Sequence, residues 1–330
     1  MSKYHVYGLG AALVDTEIEV SDEDLTLLGI DKGLMTLVDR ERQTAILTSL
    51  EGHLVHAKQA SGGSAANSII AASYFGAKTF YSCKVADDAL GEFYMNDLKE
   101  AGVDADYLQK SSEGITGTCL VMITPDAERS MNTYLGISET LSATELNKEA
   151  LSDSEYLYME GYLVTSPTGR AAAIEAHAIA RERGVKTALS FSDPGMVEFF
   201  RDGLLEMLGD GVDMVFCNED EALGWAQTKH LDAAVETLKG VAKTFAITLG
   251  AKGALVFDGS ELIQIAPNTV KAVDTNGAGD MFAGAFLYGI SKGLSFADAG
   301  RLASRASAEV VSNYGPRLPA ARHRELLAAL

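Results

Sequence analysis

From about residue 150 onward, short apolar runs rich in β-branched and aromatic residues alternate with longer stretches whose apolar positions recur every three or four residues. Tyr156 to Glu160, Thr187 to Ser192, Met214 to Cys217, Phe245 to Thr248 and Ala254 to Phe257 read as strands. Thr168 to Arg183, Met196 to Leu208, Leu231 to Lys239, Gly279 to Ser291 and Ser295 to Ser312 read as helices. This alternation predicts an α/β fold with a mostly parallel central sheet and helices on both faces. Ligands of such sheets gather at the carboxyl ends of the strands.

The first half has a different rhythm. Tyr4 to Leu9 predicts a strand of the main sheet. Thr16 to Val20 and, more weakly, Met35 to Val38 alternate polar and apolar positions, which predicts a separate, half-exposed small sheet. A helix opens at Gly62-Gly63-Ser64-Ala65-Ala66-Asn67, with Gly76 as its C-cap. Thr116 to Thr124, a turn at Pro125-Asp126 and Arg129 to Tyr134 predict a hairpin. Near the other end, Thr269 to Val273 reads as a strand that runs into a helix with Phe282, Phe286 and Ile290 four residues apart.

Composition narrows the function more than the fold. The 330 residues include 46 acidic and 27 basic side chains, a formal net charge of −19. Such a field repels nucleic acid and anionic membranes. The charge-free stretch between Lys58 and Lys78 is too rich in Gln, Gly, Ser and Asn for a membrane span. No secretory signal is expected at the N-terminus. Cys83, Cys119 and Cys217 lie far apart in apolar runs, as buried free thiols in a reducing compartment would. His53 and His56 have no partner to complete a zinc pattern.

The stretch Asp274-Thr275-Asn276-Gly277-Ala278-Gly279-Asp280 carries the strongest chemistry. Its glycines let backbone N–H groups approach a ligand where a helix begins, and such a place binds anions. Asp280, in the first helical turn, adds a carboxylate beside it. The plain alternative is a Gly-rich turn in which Asp280 only favours the helix N-terminus. Other candidates also follow strand-like runs. Asp15 sits past the first strand, Asn218 to Glu221 follows Met214 to Cys217, and Thr248 to Ala254 joins two strands. Each also admits a structural reading as a cap, a turn or a connection. Gly8 to Asp15 lacks the third glycine of a dinucleotide fingerprint, because Leu13 stands there. No Gly-Lys pair, protein-kinase catalytic loop or Gly-x-Ser-x-Gly occurs.

Asp274 to Asp280 resembles the Asp-Thr-x-Gly-Ala-Gly-Asp signature of the ribokinase (pfkB) family of carbohydrate and nucleoside kinases. Gly62 to Val103 resembles that family's N-terminal signature, and Asn218 and Glu221 match its Asn-x-x-Glu motif. The resemblance implies a ribokinase-like fold, with residues 1–330 as one kinase domain and a lid from about 16–48 and 105–136. It implies transfer from ATP with Mg²⁺ to a primary hydroxyl, with Asp280 as base and the amides of Gly277, Ala278 and Gly279 holding the phosphoryl group. Asp15, Gly62, Gly63 and Asn67 would bind the acceptor. Asn218, Thr248, Gly250, Gly253, Asp274 and Thr275 would border the nucleotide, and Glu221 would order Mg²⁺ through water or phosphate. A monovalent cation such as K⁺ near Asp274 is a further implication.

The N-terminal segment through Asp15 most resembles the adenosine kinase branch, and Tyr162 resembles its base-stacking aromatic, with core packing as the rival role. Ala11, however, replaces an Asn common in that branch, which leaves a free sugar as the alternative acceptor to a nucleoside. A non-catalytic nucleotide- or sugar-binding sensor is a third reading. Arg129 on the hairpin could reach the phosphates and Arg305 could wall the adenine pocket, but for each an ordinary surface arginine is the stronger reading on general grounds. A cytoplasmic monomer or homodimer acting on small molecules, without nucleic acid or membrane partners, completes the expectation.

Overall fold

The computed structural model describes residues 2–53, 55–106 and 113–329. Two sheets form. In the first, β1 (Tyr4–Leu9), β5 (Thr79–Ser82), β8 (Ser154–Glu160), β9 (Lys186–Ser190), β10 (Val212–Asn218), β11 (Ala242–Thr248), β12 (Ala254–Phe257) and β13 (Leu262–Ile265) lie in the order β13-β12-β11-β10-β9-β8-β1-β5. All pairs from β5 to β11 are parallel, and β12 and β13 add antiparallel edge strands. The second sheet contains β2 (Leu13–Glu19), β3 (Met35–Leu37), β4 (Val55–Gly62), β6 (Gly117–Ile123) and β7 (Arg129–Tyr134), in the order β3-β7-β6-β2-β4.

Side chains of the first sheet alternate between two buried faces, which is why its strands read as continuous apolar runs. On β8, Leu157 and Met159 pack with Ala172, Ala173 and Ala176 of the helix Pro167–Arg183. Tyr156 and Tyr158 point the other way, toward the helices Ser64–Phe75, Ala278–Ser291 and Phe296–Val311. The first and second of those helices approach closely at Gly284. A Cβ there would fall inside contact with Ser68 O and lie 2.8 Å from Ala71 Cβ.

Several expectations are met to within a residue or two, including the hairpin, the strand Ala254–Phe257 and the left-handed C-cap at Gly76. Others are corrected. The expected helix Met196 to Leu208 is two, Pro194–Phe199 and Arg201–Leu208, because the chain leaves helical geometry at Phe200 (φ −123°), whose ring packs against the core. Thr269 to Val273 forms no strand. Residues 269–272 are exposed, and the N–H groups of Val273 and Asp274 donate to Val311 O at a helix end, so no neighbouring strand is there to pair. The small sheet is less exposed than its alternation suggests. Ile18, Leu120 and Met122 on its outer face are covered by Leu25 and Ile46 of the helices Asp22–Leu28 and Arg40–Ser49 and by Leu50, which follows the second. Of the expected lid, residues 107–112 lie outside the described residues.

Cys83, Cys119 and Cys217 are free thiols, the latter two buried. Among the described residues, no helix is long and apolar enough to cross a membrane.

Candidate active site

A cavity of about 760 Å³ opens where β1, β8, β9, β10 and β11 end, and the second sheet forms its opposite wall. Its floor is the start of the helix Ala278–Ser291. Gly277 is the N-cap in a left-handed conformation (φ 73°), and a Cβ there would collide with the backbone of Pro316. Only glycine fits this turn without strain. Gly279 faces open space. The amides of Gly277, Ala278 and Gly279 thus border the cavity at the positive end of a 14-residue helix.

Asp280 stands beside them. Ser64 Oγ donates to its Oδ1 at 2.6 Å and Asn67 Nδ2 donates to its Oδ2 at 3.0 Å. Burial raises the pKa of the Asp280 carboxyl, while Ser64, Asn67 and the charge of Arg129 pull it down. Asn67 therefore meets Asp280 in this structure, and its own Oδ1, buried at the cavity, has no hydrogen-bond partner among the described residues. Asp15 lines the same space from β2, only 5% exposed. Burial and the nearby Glu17 push its pKa well above the usual carboxylate range; Arg317 opposes them and Asp280 adds to them. Gly63 caps the helix Ser64–Phe75 and lines the cavity. Gly62 does not line it, but a Cβ at that position would occupy the space of the Asp15 carboxyl.

At the other end, Asn218, Thr248, Gly250, Gly253 and Thr275 line the cavity. Thr275 is already engaged, since its N–H and Oγ1 both donate to Ala127 O at the tip of the hairpin, at 3.2 and 3.0 Å. Asp274 lies behind the wall, fully buried, and accepts from Asn276 N and Gly315 N. Glu221 and Asn218 form a reciprocal cap in which Glu221 Oε2 accepts from Asn218 N and Oε1 from Nδ2. Burial raises the Glu221 carboxyl to about 8. Tyr162 lines the cavity and also packs against the core, and its hydroxyl donates to Ser192 O. Arg305 is not at the cavity, and its guanidinium donates to Ala329 O on the surface.

Arg129 departs from the surface reading. It lines the cavity, and although burial works against its charge, Tyr162, Asp193 and Asp280 more than offset that and raise its pKa. Three further groups were not singled out from the sequence. Glu160, at the end of β8, accepts from Ala11 N and Ala65 N at 2.7 Å each, and burial lifts its carboxyl to about 7. Asp193 caps the helix Pro194–Phe199 through Oδ1, and its carboxylate faces the charge of Arg129. Ser64 is the third. The carboxyl-end rule points to Glu160 and Asp193, and the Asp-Pro pair marks a helix start at the latter.

These are the parts that phosphoryl transfer requires: donors for a transferring anionic group, a carboxylate next to them and a second carboxylate across the cavity. The family model described as pfkB family carbohydrate kinase matches residues 29–322, and the chain belongs to that family. It is a kinase with an alcohol group as acceptor, of the kind that acts on nucleosides or sugars.

The chain is 29% identical to the adenosine kinase of Schizophyllum commune, over 96% of this chain and 97% of the relative. It is 32% identical to the ribokinase of Mus musculus, over 69% and 70%. Among solved structures it superposes with a TM-score of 0.94 on the adenosine kinase of Sinorhizobium meliloti, at 34% identity. The TM-score is also 0.94 for a probable sugar kinase of Rhizobium etli CFN 42, at 32% identity. Both superpositions cover 100% of each chain.

Proposed function

We propose that the protein transfers the γ-phosphoryl group of ATP to the 5′-type primary hydroxyl of a ribosyl nucleoside such as adenosine. The observation that carries the nucleoside reading is the shape of the acceptor side. Leu13, Met131, Leu135, Leu163 and Tyr162 face the same cavity as Asp15 and Asn67, giving an apolar wall that a free pentose leaves uncovered and a purine face would cover. Asp280 takes the proton of the attacking hydroxyl. The amides of Gly277 to Gly279 accept the charge that develops on the phosphoryl oxygens. The second sheet, which contributes Asp15, Arg129 and the hairpin, acts as a lid that keeps water from competing as acceptor.

The residues present fit a magnesium-bound nucleotide. Among the described residues, no group of three or more His, Cys, Asp or Glu could cage a metal. That suits an ion held mainly by phosphate oxygens and water, with the Glu221 and Asp193 carboxylates at the cavity wall at hand. When bound, Mg²⁺ neutralises phosphate charge. A monovalent cation near Asp274 is part of the same proposal and rests on the family resemblance alone.

A free sugar is the second reading, favoured by Ala11, whose methyl group offers a purine no hydrogen bond, and by the likeness to ribokinase and to a probable sugar kinase. A panel of nucleosides, pentoses and hexoses with MgATP decides. Turnover of adenosine above all sugars is expected. Turnover of a pentose or hexose with every nucleoside inert would overturn the nucleoside reading. Ligand binding without any turnover would instead identify a sensor.

A further inference from the structure

The segment from Tyr314 to Arg317, just past the helix Phe296–Val311, touches both halves of the site. Tyr314 Oη donates to Glu19 on β2, Gly315 N donates to Asp274 Oδ2 at 2.9 Å, and Pro316 lies against Gly277. Arg317 then reaches the acceptor side. Its Nη1 donates to Asp97 Oδ2 at 2.9 Å, and its Nη2 donates to Ser61 O and, at 2.7 Å, to Ser61 Oγ. The Ser61 hydroxyl also donates to Asp97 Oδ2. With its side chain 15% exposed, Arg317 is largely removed from water. Ser61 pairs with Val14 on β2 and Ala60 pairs with Asp15, so the tether grips the strand that backs Asp15 and leads into Gly62, Gly63 and Ser64.

The electrostatic setting of Asp15 is one-sided. Glu17 from its own strand and Asp280 from the helix Ala278–Ser291 face it with like charge, the Cys119 thiol lies beside it on β6, and Arg317 supplies the opposing positive charge. A planar guanidinium can serve Asp97 and both Ser61 oxygens at once, whereas a lysine ammonium cannot keep that fork. We propose that Arg317 is a positioning residue of the acceptor site. It holds the Asp15, Gly63 and Asn67 surface in register with the phosphate turn and balances the charge that Asp15 must carry to accept hydroxyl hydrogen bonds. The inference rests on the reading of Asp15 and Asn67 as acceptor ligands.

The test compares Arg317→Met, Arg317→Lys and Asp97→Asn in the full chain, using whichever of adenosine or D-ribose the wild type turns over. Arg317→Met is expected to raise the acceptor KM about tenfold or more while the ATP KM stays within about twofold. Without the guanidinium the Asp15 carboxyl rises further, so the acid limb of kcat/KM for the acceptor moves to higher pH. Arg317→Lys keeps the charge and loses the fork: its limb stays in place while KM rises severalfold. Asp97→Asn raises KM and leaves the limb unmoved.

A folded Arg317→Met protein with wild-type acceptor KM and acid limb overturns the proposal. Equal KM effects of Arg317→Met and Asp97→Asn with no movement of the limb reduce the residue to a structural one, and also overturn it. If Arg317→Met does not fold, a wild-type acceptor KM in Arg317→Lys overturns it. A wild type that phosphorylates no acceptor removes the reading beneath it and the proposal together, whereas active wild type with indifferent variants removes the proposal alone.

Discussion

Asp280 is clasped by two neutral donors, Ser64 and Asn67, at the depth where an attacking hydroxyl would meet the phosphate turn. Asp280→Asn removes the proposed proton acceptor but keeps the shape, so kcat is expected to fall by about 10²–10⁴ with the ATP KM nearly unchanged. Steady-state kinetics decide, and near-normal turnover would exclude the base role. Ser64→Ala makes a finer test. Its hydroxyl favours the ionised carboxylate, so without it the Asp280 pKa rises further and the acid limb of the kcat profile moves to higher pH. Turnover at the plateau is expected to drop by roughly tenfold, about the worth of one charge-assisted hydrogen bond. An unmoved limb would show that this contact, present without ligands, is absent during turnover.

The helices Ser64–Phe75 and Ala278–Ser291 deliver these groups to one another, and Gly284 sets their separation. Gly284→Ala places a methyl group against Ser68 O and Ala71. Unfolding in urea should show a loss of about 1–3 kcal/mol, and kcat should fall with it, because Ser64 and Asn67 retreat from Asp280. Stability lost without any change in kcat would mean that the helix spacing does not tune the site.

Both helices were legible in the sequence, since glycine punctuation and a four-residue apolar repeat mark their starts and faces. The strands of the first sheet were legible for a related reason: both faces are buried, so each is a continuous apolar run. What escaped was set by tertiary partners. Thr269 to Val273 has strand-like residues but no strand beside it, and Met196 to Leu208 has helical periodicity that Phe200 interrupts in order to pack. Glu160 reads locally as the polar end of a strand. Its two backbone donors, Ala11 and Ala65, come from segments about 150 and 95 residues away, beyond what a local pattern carries.

The whole molecule has a charge of −19 and keeps several carboxyls out of water at the cavity. Glu160 and Glu221 have folded pKa values of about 7 and about 8, above the 4.5 of an exposed glutamate. The folded state therefore holds more protons than the unfolded chain between about pH 4.5 and 8, and stability falls as pH rises through that window. The melting temperature without ligands is expected to decline over this range, and Glu221→Gln should flatten its upper part. A midpoint that rises toward pH 8 would contradict this burial. The Arg129 environment belongs to the same scale. Tyr162, Asp193 and Asp280 come from three other parts of the chain, so a residue that looks like hairpin surface becomes a cavity cation only once the two sheets face each other.

The bonds from Thr275 to Ala127 O join the tip of the small sheet's hairpin to the phosphate turn across 148 positions of sequence. Any parting of the two sheets has to break them, so the Thr275 amide doubles as a clock. Its rate of exchange with deuterated solvent measures how often the cleft opens, in the absence of turnover and without a label, and the slowing of that exchange by each substrate shows which of them holds it shut.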